Sequence, residues 1–312
     1  MIDRPGIYEI DEATYHADCC PSPSLSSGIA RDLVAASPLH AWHNHPRLNP
    51  NHEPEESDRF DLGRAAHALI LEGRDAFEVI DAPDWRTKTA QQARDVARSG
   101  CKIPILAGKW EDMQAMAHAL RMQLDAFEEE PRPLTGGRPE QTIVWQEPNG
   151  IWCRARLDWL HDDGRFIDDL KTGAGSANPD VWTRIMFGLG ADVQAAFYLR
   201  GYKAVSGIEA QWRFVVCENE PPFACSVVGL TPAVLEIGRR KVEYAVGLWR
   251  ECMESGRWPG YPARTCYAEL PPWIESSWLE KEMREENRGP RIVDTGGPIA
   301  DLMPDPIGLR AG

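Results

Sequence analysis

No stretch of this 312-residue chain is apolar over the ~20 residues that a membrane-spanning helix needs. The N-terminus also lacks the basic-then-apolar order of a secretion signal. A cytoplasmic protein without a membrane partner is therefore expected. The eight cysteines include no C-x-x-C pair, so the common zinc and dithiol motifs are excluded and the thiols read as reduced. There is no Walker-type phosphate loop, no helicase signature and no internal repeat, so no bound nucleotide is expected. Positive charge is also short, since 34 Lys and Arg against 48 Asp and Glu leave −14. That balance argues against a general polyanion-binding surface. It still permits a local basic groove, and an acidic exterior can confine a nucleic acid to one channel.

Apolar content, at 43%, is ample for a core. The most informative stretch is Trp152–Thr172, W-C-R-A-R-L-D-W-L-H-D-D-G-R-F-I-D-D-L-K-T. Asp163-Gly164 between two strand-like runs predicts a hairpin. With a two-residue loop Asp162 pairs with Arg165, and counting outward sets Asp158 opposite Asp169. Alternation places Arg154, Arg156 and Asp158 on one face, together with Asp169 and Lys171. Two facing carboxylates, with Cβ atoms ~5 Å apart, repel and weaken an ordinary sheet. A divalent cation between them removes the repulsion, because Mg²⁺ and Mn²⁺ take carboxylate oxygens. A surface hairpin with incidental acids is the plainer alternative.

Elsewhere, Phe60–Glu72 reads as a largely buried helix stopped by Gly73. Gly63 and His67 lie four apart on one face, with the small residue expected to permit a close approach. Glu72 falls about 140° around the helix from His67 and is expected in a salt bridge. Ser24-Leu25-Ser26-Ser27 offers caps for a short helix, and the histidines of S-P-L-H-A-W-H-N-H read as a helix end halted by Pro46. A long amphipathic helix follows Lys109. Glu140–Gln146 is a strand, and Pro148-Asn149-Gly150 turns it into the hairpin, so Glu140 is a second-rank candidate for the same cleft. Helices over Pro179–Phe187 and Asp192–Ala204, strands over Ala210–Glu218 and Phe223–Leu230, and a helix opened by Thr231-Pro232 follow. In the second helix Gln194 and Tyr198 are i, i+4 neighbours. The organisation expected is a lead-in over 1–23, one domain over 24–265, and a Pro-, Gly- and charge-rich tail over 266–312. Its last twenty residues read as disordered.

Four motifs occur in a fixed order: G-x-x-x-H at Gly63–His67, an aspartate before a turn at Asp158, D-x-K at Asp169–Lys171, and Q-x-x-x-Y at Gln194–Tyr198. This set resembles the PD-(D/E)XK nuclease superfamily, in its RecB-like branch, and is most similar to the RecE-type exonucleases (exodeoxyribonuclease VIII) of phages and prophages. The S-L-S-S, S-P-L-H-A-W and R-x-R-x-D-W segments add to the resemblance. One departure is Asp169, where many superfamily members carry glutamate.

The resemblance implies an α/β fold with a restriction-endonuclease-like core, a central mixed sheet carrying an antiparallel catalytic hairpin and flanked by helices. It implies Mg²⁺, with Mn²⁺ able to substitute, held by His67, Asp158, Asp169 and the Leu170 carbonyl. Lys171 would act with Asp158 and Asp169 in phosphodiester hydrolysis. Gln194, Tyr198, Arg156 and Arg154 would position DNA, with Glu140 and Glu72 behind them. Some relatives hold an iron–sulfur cluster, but their cysteine spacing is absent here and none is expected. The activity implied is sequence-independent exonucleolytic hydrolysis from DNA ends, in phage recombination or repair. The partners implied are linear duplex or single-strand ends, a RecT-type annealing protein and further copies of the chain in a ring. The competing readings are a non-catalytic DNA-end-binding protein and a phage accessory protein on the same fold.

Overall fold

The computed structural model describes every residue except 54–57, 74–75, 101, 174 and 288–312, and describes residues 58–62 by their backbone alone. The last twenty residues, expected to be disordered, lie outside the described residues. The chain divides into two units, Met1–Tyr261 and Pro262–Gly312.

In chain order the first unit contains β1 (Gly6–Tyr8), α1 (Glu12–His16), α2 (Ser27–Ala35), α3 (Pro38–Asn44), α4 (Asp58–His67) and a π-helical turn (Ala68–Glu72). It continues with β2 (Phe77–Ile80), α5 (Lys88–Ser99), β3 (Ile103–Leu106), α6 (Ala107–Asp125), β4 (Gly137–Gln146), β5 (Trp152–His161) and β6 (Phe166–Gly173). It closes with α7 (Pro179–Gly188), α8 (Ala191–Ser206), β7 (Gln211–Glu218), β8 (Cys225–Gly229) and α9 (Pro232–Ser255). The second unit contains α10 (Pro272–Glu286). No helix of the described residues is long and apolar enough to cross a membrane.

Local chemistry sets many of these boundaries. Ser26 and Thr231 accept hydrogen bonds from the backbone N–H of Ile29 and Val234, capping α2 and α9, and Pro232 occupies the first turn of α9. Gly73, at φ 61°, ends the π-helical turn in the left-handed region. Between α4 and α6 two features lacked a sequence signal. One is the π-helical turn that interrupts the helix expected over Phe60–Glu72. The other is β3, which pairs in parallel with β2.

Six strands form one mixed sheet in the order β1-β4-β5-β6-β7-β8. Only β6 and β7 run parallel, and α7 and α8 make the crossover between them. The sheet is packed on both faces. The larger core joins Ile143, Trp145, Ala155, Leu157 and Phe214 of the strands to Ile29, Leu33, Trp182, Phe197 and Trp249 of α2, α7, α8 and α9. The smaller joins Leu170, Val215 and Cys217 to Ala65, Leu71, Met113, Met116 and Leu120, with Phe77 and Ile105 of the two-stranded sheet. This is the expected α/β architecture, a central mixed sheet flanked by helices.

The residues before Ser24 join the sheet as its edge, with Gly6 paired to Val144. A buried charge network fastens them. The Arg154 guanidinium lies 3.1 Å from Asp18 and donates to the Ser24 hydroxyl at 2.6 Å and to the Tyr15 carbonyl at 3.2 Å.

Helix α8 lies close on β4, where Trp145 packs at 4.9 Å on Phe197. A Cβ at Gly201 would stand 2.4 Å from the Trp145 ring. Alanine gains ~1 kcal/mol over glycine within a helix, but overpacking costs about 1–3 kcal/mol. Since Trp145 is wedged in the core, the steric cost wins. Gly201→Ala is expected to lower the urea midpoint; an unchanged or raised midpoint would contradict this packing.

Candidate active site

The β5–β6 hairpin keeps the register read from its turn. Trp159 pairs with Asp168 and Leu160 with Ile167, so the next step inward brings Asp158 level with Asp169. The loop is Asp162–Arg165 rather than two residues. Its Gly164 stands at φ 68° and donates its amide to the His161 carbonyl at 2.9 Å. The extra residues are added one to each strand, which leaves the pairing unchanged.

On its other side β5 pairs with β4 through Pro139–Trp159 and Gln141–Leu157. Between them Glu140 comes level with Asp158. Three neighbouring strands thus carry Glu140, Asp158 and Asp169 in one row, and both ladders are interrupted there. Like charges facing each other oppose regular pairing. The backbone yields in three ways. Glu140 adopts φ 52°, a conformation costing a residue with a side chain about 1–3 kcal/mol. Ala155, Leu157 and Leu160 all enter the larger core, so the two-residue alternation slips by one at Asp158. The Leu170 amide donates to Asp158 Oδ2 at 2.8 Å instead of to a strand.

His67 arrives from the far end of α4, at the junction with the π-helical turn; such turns recur at functional sites. Its Nδ1 lies 3.6 Å from Glu140 Oε1 and 3.8 Å from Asp158 Oδ2. One ligand atom from each of His67, Glu140 and Asp158 falls within 4.8 Å of the others. An imidazole with two carboxylates is a donor set for a divalent cation. The group differs from the expected one in that Glu140 joins it. Asp169, fully buried, instead accepts from Gln194 Nε2 at 2.7 Å and forms an ion pair with Lys171. Its neighbour Asp168 turns to the opposite side of the strand. There Asp168 meets His161 Nε2 at 2.6 Å, Arg213 Nε at 2.7 Å and the Leu134 amide at 2.9 Å.

The electrostatics suit a divalent cation. Burial, then the Asp169 charge, push Asp158 up to about 7 despite His67 and Lys171. Burial by itself disfavours a charged His67, but Asp158 and then Glu140 outweigh it and raise the imidazole to about 9. Glu140, which burial would raise, is held below the usual carboxylate range by its bonds to His67 and Arg156. His67 and Lys171 lower Asp158, and Asp158 and Glu140 raise His67 in return. A divalent ion would offset the same acids, and the donors fit one.

Other expected site residues are placed differently. Arg154, expected at a phosphate, is 3% exposed and belongs to the Asp18 network. Arg156 meets Glu140 Oε2 at 2.5 Å and the Ile10 carbonyl at 2.7 Å. Tyr198, expected to position DNA, is buried edge-on against Trp212, 5.6 Å between ring centres. Burial keeps its hydroxyl un-ionised. The Leu170 side chain fills the smaller core. Glu72 ends the π-helical turn, outside the His67–Glu140–Asp158 group. A Cβ at Gly63 would meet nothing within 4 Å, so among the described residues no close approach uses that glycine.

The level of Glu140 depends on the β4–β5 turn. Gln146 pairs with Trp152, which leaves a five-residue loop, Glu147–Ile151. A two-residue loop at Asn149-Gly150 would shift the pairing by one and face Glu140 away. The missing signal was loop length.

An acidic row bent out of a mixed sheet, with a lysine two residues past one acid and a histidine from a preceding helix, defines a domain of the PD-(D/E)XK fold. The family described as "PDDEXK-like domain of unknown function (DUF3799)" matches residues 37–270. The chain belongs to that family. Among solved structures it is similar to a candidate exonuclease from Eubacterium rectale at 12% identity and a TM-score of 0.56, over 86% of this chain and 99% of that one. It also matches a phage-related exonuclease from Haemophilus somnus 129PT at 11% identity and a TM-score of 0.31, over 75% and 96% of the two chains. An alkaline exonuclease from Laribacter hongkongensis matches at 16% identity and a TM-score of 0.24, over 62% and 96%. No curated protein matches.

The shifted groups give a pH signature to the metal-free protein. Asp158 is raised from 3.8 to about 7, so its contribution to stability is full below 3.8 and is lost as pH rises through 7. His67 is raised from 6.5 to about 9, so its contribution is full below 6.5 and lost through 9. In chelator, the melting temperature of the wild type should fall relative to Asp158→Asn over the first window and relative to His67→Gln over the second. Calorimetric curves that run parallel across both windows would contradict these shifts.

Proposed function

We propose that this protein is a divalent-metal-dependent DNA exonuclease that hydrolyses phosphodiester bonds from DNA ends without sequence preference. The observation that carries this reading is the row of three carboxylates with His67 on one side and Lys171 on the other. Family membership supports the same chemistry, and so does the fold shared with the Eubacterium rectale protein.

His67, Glu140 and Asp158 would hold the ion, with Asp169 and the Leu170 carbonyl as further ligands. Mg²⁺ is the proposed ion and Mn²⁺ its substitute. Bound there, the ion supplies an acidified water and positive charge for the phosphoryl oxygens. The remaining work falls to side chains. Lys171 pairs with Asp169, where it can orient a water or stabilise the anion that develops. Gln194 fixes the Asp169 carboxylate through its amide. Groups that recognise phosphate and sugar do not read bases, hence the proposed sequence independence. A role in phage recombination, a RecT-type annealing partner and a ring of copies around DNA extend the proposal through the family resemblance.

The test is digestion of end-labelled linear duplex and of closed circular duplex, with Mg²⁺ or with chelator. Linear DNA alone should be degraded, and only with metal. Lys171→Ala should lower the rate at least ~10²-fold, the scale for losing one transition-state contact, while sparing DNA binding. Gel shifts without degradation, with the wild type in Mg²⁺, would overturn catalysis and leave an end-binding protein.

A further inference from the structure

Arg156 is surrounded by partners that explain its orientation without any DNA. It lies on β5 two residues before Asp158, pairs across the ladder with Thr142, and its side chain is only 12% exposed. Nε donates to Glu140 Oε2 at 2.5 Å. Nη1 donates to the Ile10 carbonyl at 2.7 Å and lies 3.4 Å from the Thr142 hydroxyl. Glu140 is held at both ends, with Oε2 on Arg156 and Oε1 turned to His67 Nδ1 at 3.6 Å.

The segment that supplies the Ile10 carbonyl is fastened on the other side of the site as well. Glu12 Oε1 lies 2.9 Å from Arg64 Nε on α4, the helix that carries His67. Ile10–Glu12 therefore links the element that presents His67 to the side chain that presents Glu140. Further along, the Tyr15 carbonyl and Asp18 are held by Arg154.

From this geometry we infer that Arg156 is a positioning residue for the metal centre: it occupies one oxygen of Glu140, aims the other at the ion, and is itself held by the N-terminal segment at Ile10. The inference rests on the metal-centre reading proposed above. A guanidinium fixed at two of its nitrogens suits the task, because its rigid plane sets direction as well as distance. The strained backbone at Glu140 fits the same account, since a flexible glutamate in that conformation needs a partner to hold its aim. Ligand-orienting partners of this type change metal affinity by 10–100-fold when removed.

The experiment is Mn²⁺ titration calorimetry on the full chain, for wild type, Arg156→Gln, Arg156→Lys, Glu140→Gln, the Glu140→Gln/Arg156→Gln double variant and Asp158→Asn. Anisotropy with labelled duplex in chelator runs alongside. Arg156→Gln should weaken Mn²⁺ binding by about 10–100-fold, with Arg156→Lys recovering part of the loss and DNA affinity in chelator unchanged. Because Arg156 acts through Glu140, the double variant should bind Mn²⁺ no worse than Glu140→Gln alone. Should Arg156→Gln fold poorly, Arg156→Lys carries the test: it keeps the charge but not the planar fork, and should weaken Mn²⁺ binding while leaving DNA affinity in chelator unchanged. Unchanged Mn²⁺ affinity with weakened DNA binding would overturn the inference and make Arg156 a phosphate contact. Fully additive losses in the double variant would overturn it too. A wild type that gives no Mn²⁺ heat, or an Asp158→Asn variant that binds as tightly, refutes the metal centre itself, a failure separate from that of Arg156.

Discussion

Mutual repulsion among Glu140, Asp158 and Asp169 shapes this structure more than any single attraction. Three carboxylates brought level by strand register cannot share a flat, regular ladder. The sheet opens at that row, and the opening makes the site. Both hydrogen-bond ladders break there, the side-chain alternation of β5 slips, and a backbone amide turns inward to Asp158. Among the described residues, the cations beside the row are His67 and Arg156 at its Glu140 end and Lys171 at its Asp169 end.

The two hydrophobic layers explain why such a row survives. Helix α8, packed in the larger core, brings Gln194 to Asp169. Helix α4 and the π-helical turn, packed in the smaller core, bring His67 to Asp158 and Glu140. Each layer buries side chains worth roughly 1.5–3 kcal/mol apiece when fully enclosed. A handful of these outweighs the strain at one glutamate and the repulsion among partly protonated acids. The cleft is therefore paid for by the packing on either side of it.

Much of this was legible from the sequence, for identifiable reasons. Asp163-Gly164 fixes a hairpin register because glycine accepts the left-handed turn, and that register put Asp158 opposite Asp169. Amphipathic spacing and caps gave most helices, as at Thr231-Pro232. What escaped depended on things no local pattern encodes. Glu140 needed the length of the loop after Gln146. Arg154, Arg156 and Tyr198, which the family resemblance assigns to DNA, are enclosed instead, because a strand or helix pattern gives a face and cannot say that the N-terminal segment or α2 will cover it. The first residues looked like a lead-in because a three-residue edge strand has too little pattern to register.

Asp168 and Asp169 are adjacent and look in opposite directions, one toward Arg213, His161 and the Leu134 amide, the other toward Lys171 and Gln194. A strand gripped by charge on both sides has lost the freedom to roll about its long axis. Its rotational setting is shared between two sets of partners that never meet. Sequence drift on the concealed side of β6, at Arg213 or His161, would thus surface as a small angular error in a carboxylate on the working side, transmitted through one rigid peptide unit.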